Sequence, residues 1–444
     1  MAAGSTLLVI GEVFVDLTLV GQTAESKMRL GGIVHAARGL WASGVQYSVG
    51  AFSPKYLVEE ARAYVAAHGC ADFFWFGEVE GAPNVIVIGD AREVAWQGYE
   101  SILRDRRRAT FLNQSLDLSA YTDVLLFPGC YDLSAVRSMF PGDVSFDIDI
   151  AYDVDEMVAL DPYRGKLRTV ILSTSSPLFS KHGAEKLDTL LSGAAQLGAA
   201  YLLLKENRGG SRLFHLSTGA ADCIPAQLGK TINSVGVGDA YSAVLSGLSS
   251  RVGVQEAAWR GAQVATRYAQ TTFPDDLRRD VQRDALLDLP TLKALWGTSL
   301  PWHERPKHSI YLAAPDFSYM AKPEIELAVE ALGYHNFRLR RPVQEVGELP
   351  KTATLAERQA AFAHDIDLLQ ECSAVLAIPL DRDPGTLVEV GWAQALSKPV
   401  VVFDPRRENN NTMVVAGSTA YSCDLDECLN ELFRVLSQPC PATT

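Results

Sequence analysis

Three acids crowd one short stretch of this 444-residue chain: Asp381, Asp383 and Glu389, in Leu380-Asp-Arg-Asp-Pro-Gly-Thr-Leu-Val-Glu389-Val-Gly-Trp-Ala393. One carboxylate can attack an electrophilic carbon while another delivers the proton a leaving group needs, so such a cluster suits covalent and acid–base chemistry. The spacing also admits a plainer account. Thr386 followed three residues later by Glu389 fits a capping box, in which both side chains satisfy orphan amides at a helix start. On spacing alone the cap is the better account. The surroundings argue for chemistry, because Gly385, Gly391, Ala393 and Ala395 leave space near the carboxylate.

The elements around the acids follow from local pattern. The apolar run 375–380 reads as a buried strand, Pro384 and Gly385 turn the chain, and a helix begins at Thr386 and ends at Ser397-Lys-Pro399. A second strand, 400–403, follows. Ligands of such β-α-β units sit beyond the carboxyl ends of the strands, where the three acids fall.

The segment from Asp383 to Ala393, with Lys398-Pro-Val, resembles the active-site segment of the nucleoside 2-deoxyribosyltransferase family. The resemblance implies that Glu389 attacks the anomeric carbon of a deoxyribonucleoside, expels the base and holds the sugar as an ester. The logic is that of retaining glycosidases. Ile310-Tyr311-Leu-Ala-Ala-Pro-Asp-Phe317 resembles the family's first strand, which makes Tyr311 the residue that orients the nucleophile. His364-Asp365 resembles the segment that meets the leaving base, so Asp365 and Asp383 would place and protonate it. Asn411-Thr-Met413 resembles the loop that reaches the sugar 5′-hydroxyl, often in a neighbouring subunit. With Gly385 these are the expected substrate contacts, over a stretch from Ser309 to about Leu436.

Composition bounds the rest. The length predicts two or three domains. Hydrophobic residues make up 48%, and no run of ~18 uncharged apolar residues occurs, which argues against a membrane span. A net charge of −13 argues against coating nucleic acid. The start runs straight into a strand without the basic region of a signal peptide. The seven cysteines are scattered with no C-x-x-C pair, so reduced cytoplasmic thiols are expected and a metal site is not.

Toward the N-terminus, residues 7–17 read as an apolar strand carrying Asp16, followed by Leu30-Gly31-Gly32-Ile-Val-His35 at a helix start, where glycines let a ligand approach the backbone. Strands at 85–88, 124–127, 144–149, 169–173 and 201–205 alternate with helices at 57–67, 133–139 and 183–197. Such alternation implies a parallel sheet covered on both faces. The polar stretch 90–105 is expected to form a lid or small accessory sheet. Asn233-Ser-Val-Gly236-Val237-Gly238-Asp239 places glycines before a helix beginning near Asp239, whose free amides suit a developing anion, with a simple Asp cap as the alternative. Helices at 254–270 and 280–296 complete this part.

These two N-terminal motifs resemble those of the ribokinase-like (PfkB) carbohydrate and nucleoside kinase family, over roughly residues 5–275. The resemblance implies Asp239 as catalytic base, Gly236, Val237 and Gly238 as anion hole, Asp16, Gly31, Gly32 and His35 at the substrate, and ATP with Mg2+ as cofactors. Departures accompany it. The family has asparagine at His35 and aspartate at Asn233, a glycine where Asn207 stands, and an Asn-x-x-Glu metal-organising motif that is missing near Ser173-Thr-Ser-Ser-Pro177.

The expected architecture is thus α/β with two doubly wound domains: a ribokinase-like α/β/α domain over 1–296, a linker over 297–308, and a smaller flavodoxin-like parallel-sheet domain over 309–444. The expected function is a cytoplasmic nucleoside-metabolising enzyme that cleaves or exchanges an N-glycosidic bond through Glu389 without a cofactor. Its kinase-like domain would bind, or phosphorylate, a nucleoside or sugar. The alternative is a nucleotide or NAD N-glycosidase whose kinase-like domain is a degenerate, regulatory binding unit. Shared active sites in the family imply at least a dimer.

Overall fold

The computed structural model describes residues 6–19, 27–113, 115–140, 142–151, 153–319 and 322–437. The first five residues, read above as leading directly into a strand, lie outside them. The chain divides into two compact units. One takes in the described residues up to Arg92 with Gln97–Ser299; the other takes Glu93–Trp96 and the described residues from Leu300. No helix among the described residues is long and apolar enough to cross a membrane.

The larger unit is built on the strand Thr6–Thr18. Its first half is buried on both faces, with Leu8, Val9 and Ile10 fully covered, and pairs in parallel with Tyr47–Ser53 on one side and Tyr121–Leu126 on the other. The near-continuous apolar run is what a parallel sheet covered by helices requires. The sheet order runs Ala221–Ile224, Ser211–His215, Tyr201–Lys205, Leu167–Ser173, Ser145–Ile150, Tyr121–Leu126, Thr6–Thr18, Tyr47–Ser53, Cys70–Glu80, Arg108–Phe111. Its second half leaves the main sheet, pairing antiparallel with Lys27–Gly32 and in parallel with Val85–Ile88. Glu100–Ser101 joins Val85–Ile88, so the accessory sheet expected near 90–105 exists, although most of its strands lie outside that stretch.

Of two expected helices, one starts later than the sequence suggests and the other is broken. In place of 183–197, a helix ends at His182 and another spans Asp188–Gln196. Gly183 is the C-cap of the shorter helix and packs closely, since a Cβ there would lie 2.3 Å from Leu190 Cδ1. In place of 280–296, Pro274–Asp284 ends and Leu289–Ala294 begins anew, because Asp288 caps it by accepting from the Thr291 amide at 2.9 Å. The cysteine expectation is also corrected at one position: Cys223 is disulfide-bonded, whereas Cys70, Cys130, Cys372, Cys423 and Cys428 are free.

The smaller unit is a five-stranded, all-parallel sheet ordered Arg338–Arg340, Ser309–Ala313, Ala374–Ala377, Val400–Phe403, Ala420–Ser422. In chain order this is 2-1-3-4-5, a doubly wound topology whose switch point lies between its first and third strands. Tyr311, Val375, Ala377, Val390, Ala393, Val400 and Val402 share one core under its helices. The segment 300–308 is packed rather than loose. Arg305 is fully buried, donating from Nε to the Leu300 carbonyl at 3.1 Å and resting on the rings of Trp302 and Phe433.

Candidate active site

Glu389 does not cap its helix. That helix, Pro384–Ala395, begins two residues earlier than the sequence suggests, and Asp383 is its cap, accepting at Oδ2 from the Thr386 amide at 2.8 Å and the Thr386 hydroxyl at 3.0 Å. Pro384, with no amide to satisfy and a fixed φ, sits at the first helical position and sets this start. Elsewhere in the unit the same Thr-x-x-Glu spacing does form a capping box, Thr354 with Glu357 at the head of Leu355–Glu371. The difference is the preceding Asp-Pro, which takes the cap and releases Glu389 for another partner.

That partner is Tyr311, on the strand Ser309–Ala313, whose hydroxyl donates to Glu389 Oε1 at 2.6 Å. Burial pushes the Glu389 carboxyl up from 4.5 to about 8; the Tyr311 hydrogen bond opposes this, and the nearby Asp365 and Asp383 charges add to it. Tyr311 is itself held well above its ordinary value, by burial and then by the Glu389 charge, so it stays a donor. Gly385 stands one turn before Glu389. A Cβ there would meet only Asp383, at 3.0 Å, so the space toward which helical side chains lean is open above the carboxylate.

Asp365, on Leu355–Glu371, is the third member. Its Oδ1 is buried without a hydrogen-bond partner, and burial raises its carboxyl while His364 opposes the shift. Tyr311, Asp365, Asp383 and Glu389 therefore gather around the first and third strands of the smaller sheet, at its switch point. Asp381 does not join them: its side chain is 61% exposed and pairs with Arg406 at 3.5 Å. It and Arg382 carry left-handed φ values of 54° and 53° at the strand-to-helix turn, a strained geometry held by Glu408, which accepts from the Asp381 amide at 2.7 Å. Asn411 caps the short helix Thr412–Val415 through the Met413 amide, and Met413 is 72% exposed.

In the larger unit, the predicted residues also come together. Asp16 Oδ2 is 2.8 Å from His35 Nε2, and His35 Nδ1 is 2.7 Å from the Tyr268 hydroxyl. Gly31 lies flat on the Asp16 carboxylate, where a Cβ would come within 2.1 Å, and Gly32, at φ 65°, abuts the Glu12 carbonyl. Gly236, at φ 81°, precedes the helix Val237–Val252, with Val237 and Gly238 in its first turn; Asp239 follows without capping it, which removes the simple-cap alternative. Burial, then the Asp149 charge, raises the Asp239 carboxyl to about 7 while Lys205 opposes. Sequence reasoning missed Tyr268, Lys205, Asp149 and Arg29. Arg29 donates to Asn233 at 3.0 Å, a pairing across some two hundred residues that no local pattern announces. Among the described residues no group of three or more His, Cys, Asp or Glu is placed to hold a metal.

A carboxyl raised by burial disfavours the folded state once ionised. Its effect is absent below pH 4.5, where folded and unfolded chains are both protonated, and grows as pH rises to about 8. Glu389→Gln is therefore expected to gain thermal stability over the wild type progressively between those values and to hold the gain above them. Melting curves from pH 4 to 9 would check this; parallel curves for the two proteins would contradict it.

Comparison with solved structures gives low-identity matches to the larger part of the chain. Ribokinase from Arabidopsis thaliana, in complex with ribose and ATP, is 14% identical, with 64% of this chain and 100% of that chain covered and a TM-score of 0.44. Fructokinase from Vibrio cholerae O395 is 14% identical over 65% and 98%, at 0.48. The nucleoside kinase of Methanocaldococcus jannaschii is 12% identical over 63% and 100%, at 0.42. No curated protein sequence matches the chain. Residues 310–423, which carry Tyr311, Asp365, Asp383 and Glu389, match the family described as nucleoside 2-deoxyribosyltransferase.

Proposed function

We propose that the smaller unit cleaves or exchanges the N-glycosidic bond of a (deoxy)ribonucleoside through a covalent glycosyl ester on Glu389. The observation that carries the reading is the Tyr311–Glu389 pair, a recessed carboxylate held by a phenol and used for no cap. In the first half-reaction an oxygen of Glu389 bonds to the anomeric carbon as the C–N bond breaks. The bonding pair leaves with the base, which takes a proton. Asp365 is the better carrier of that proton, because Asp383 already commits Oδ2 to Thr386 whereas Asp365 Oδ1 has no partner. In the second half-reaction an incoming base or water attacks the same carbon, returns its proton to Asp365, and the ester pair returns to Glu389.

A free 5′-hydroxyl suits this site better than the phosphate of a nucleotide or of NAD. Asp316, just past the strand Ser309–Ala313, binds Arg341 at 2.7 and 2.9 Å and also Lys322, and Arg406 is bound to Glu324 at 2.7 Å. These cations are already neutralised. Deoxyinosine with adenine should yield deoxyadenosine and hypoxanthine, with NAD and nucleoside monophosphates left intact. Hydrolysis of the latter with no base exchange would overturn the reading. Glu389→Ala should lower exchange by roughly 10^4-fold or more.

The reaction needs one carboxyl ionised and another protonated, so kcat/KM should be bell-shaped in pH. The macroscopic values belong to the set of acids rather than to single residues. The alkaline limb is expected near 8, where the last shared proton is lost. A profile level from pH 5 to 9 would contradict it.

Val388, Trp392 and Leu396 recur every four residues on one exposed face of the Glu389 helix, at 56, 39 and 41% exposure, and Phe362 meets Trp392 edge-to-face at 5.7 Å. We propose this stripe as the face through which copies pair, placing the 411–413 segment beside a neighbouring site. Trp392→Glu should then lower the molecular mass seen by sedimentation, whereas a wild-type protein already monomeric would exclude the pairing.

A further inference from the structure

The kinase resemblance of the larger unit implies Mg·ATP, and the residues at the 236–239 loop do not fit it. A Cβ built on Gly236 would lie 2.1 Å from His35 Cγ, so the imidazole rests directly on the loop where a phosphoryl group would be received. His35 is fixed there. It is 2% exposed, and both ring nitrogens are engaged, by Asp16 at 2.8 Å and Tyr268 at 2.7 Å. Burial lowers its pKa against the pull of Asp16, so it brings no positive charge to an anion.

The lysine beside Gly238 is likewise spent. Lys205 Nζ would be 3.2 Å from a Cβ on Gly238, but it is held by Asp149 at 2.7 Å, Ser242 at 3.1 Å and the Gly238 carbonyl at 3.3 Å. The Asp149 and Asp16 charges both bear on Asp239 here, an acidic environment for a triphosphate. The segment that would organise the metal offers hydroxyls only. Ser173 and Ser175 bond each other at 2.9 Å, while Ser176 caps the helix Pro177–His182, accepting from the Phe179 amide at 3.3 Å. Phosphoryl transfer works by positioning and by neutralising charge on the transferred group, and these contacts supply neither.

We infer that the larger unit neither binds Mg·ATP at its 236–239 loop nor transfers phosphoryl groups, and that the Asp16–His35–Tyr268 chain has turned the site into a structural lock. The lock ties the strand Thr6–Thr18 to the helices Ile33–Ala42 and Val254–Ala269, and Arg29 adds Asn233 and the Val235 carbonyl to it. This does not depend on the glycosyl chemistry assigned to the smaller unit, and its failure would leave that assignment untouched.

The full chain, incubated with Mg·ATP up to about 1 mM, the upper end of ordinary substrate affinities, and a panel of pentoses, hexoses and nucleosides, should release ADP no faster than a protein-free blank. Amide hydrogen exchange across 231–245 should be the same with and without Mg·ATP. Acceptor-dependent ADP release that Asp239→Asn removes, or protection of that loop by Mg·ATP, would overturn the inference.

Discussion

A carboxylate withdrawn from water is costly unless something meets its charge, and in the smaller unit one phenol does so. The Tyr311 hydroxyl, 2.6 Å from Glu389 Oε1, is the hydrogen bond in the balance that favours the ionised form, against burial and two neighbouring acids. The result is an oxygen poorly stabilised in the free protein and ready to gain from any positive charge that develops in front of it. An oxocarbenium-like sugar carries that charge. The same surroundings that weaken the resting carboxylate are those a cationic transition state would reward.

That placement rests on a division of labour between two acids six residues apart. Asp383 serves the helix start and Glu389 meets Tyr311, and two left-handed residues precede them at the turn. The parallel strands under it, Ser309–Ala313 and Ala374–Ala377, are short, apolar and covered, so Tyr311 is held in the packed core of the unit. Gly385 contributes by lacking a side chain. Precision at the site therefore comes from core packing, and openness comes from a single small residue.

Much of this was legible in the sequence, and the gaps have physical causes. Apolar runs such as 201–205 gave strands at their observed places, because burial on both faces leaves little alternative. Helix limits were less readable where a new cap restarts a helix, as Asp288 does before Leu289–Ala294. The Thr-x-x-Glu pattern was ambiguous by itself, since it is a box at Thr354 and not at Thr386, and only the Asp-Pro before the latter distinguishes them. In the larger unit, histidine at position 35 was visible as a departure. Its consequence was not, because Tyr268 and Gly236 reach it from more than two hundred residues away.

The central claim is that Glu389 becomes covalently bonded to a sugar. A 2′-fluoro-2′-deoxynucleoside slows both half-reactions by opposing positive charge at the anomeric carbon and lets the ester accumulate. Peptide mass analysis after such treatment should find one fluorinated sugar on the peptide containing Glu389 and none in Glu389→Gln. An unmodified Glu389 peptide in a protein that still turns over the natural nucleoside, or a label on another residue, would contradict the account.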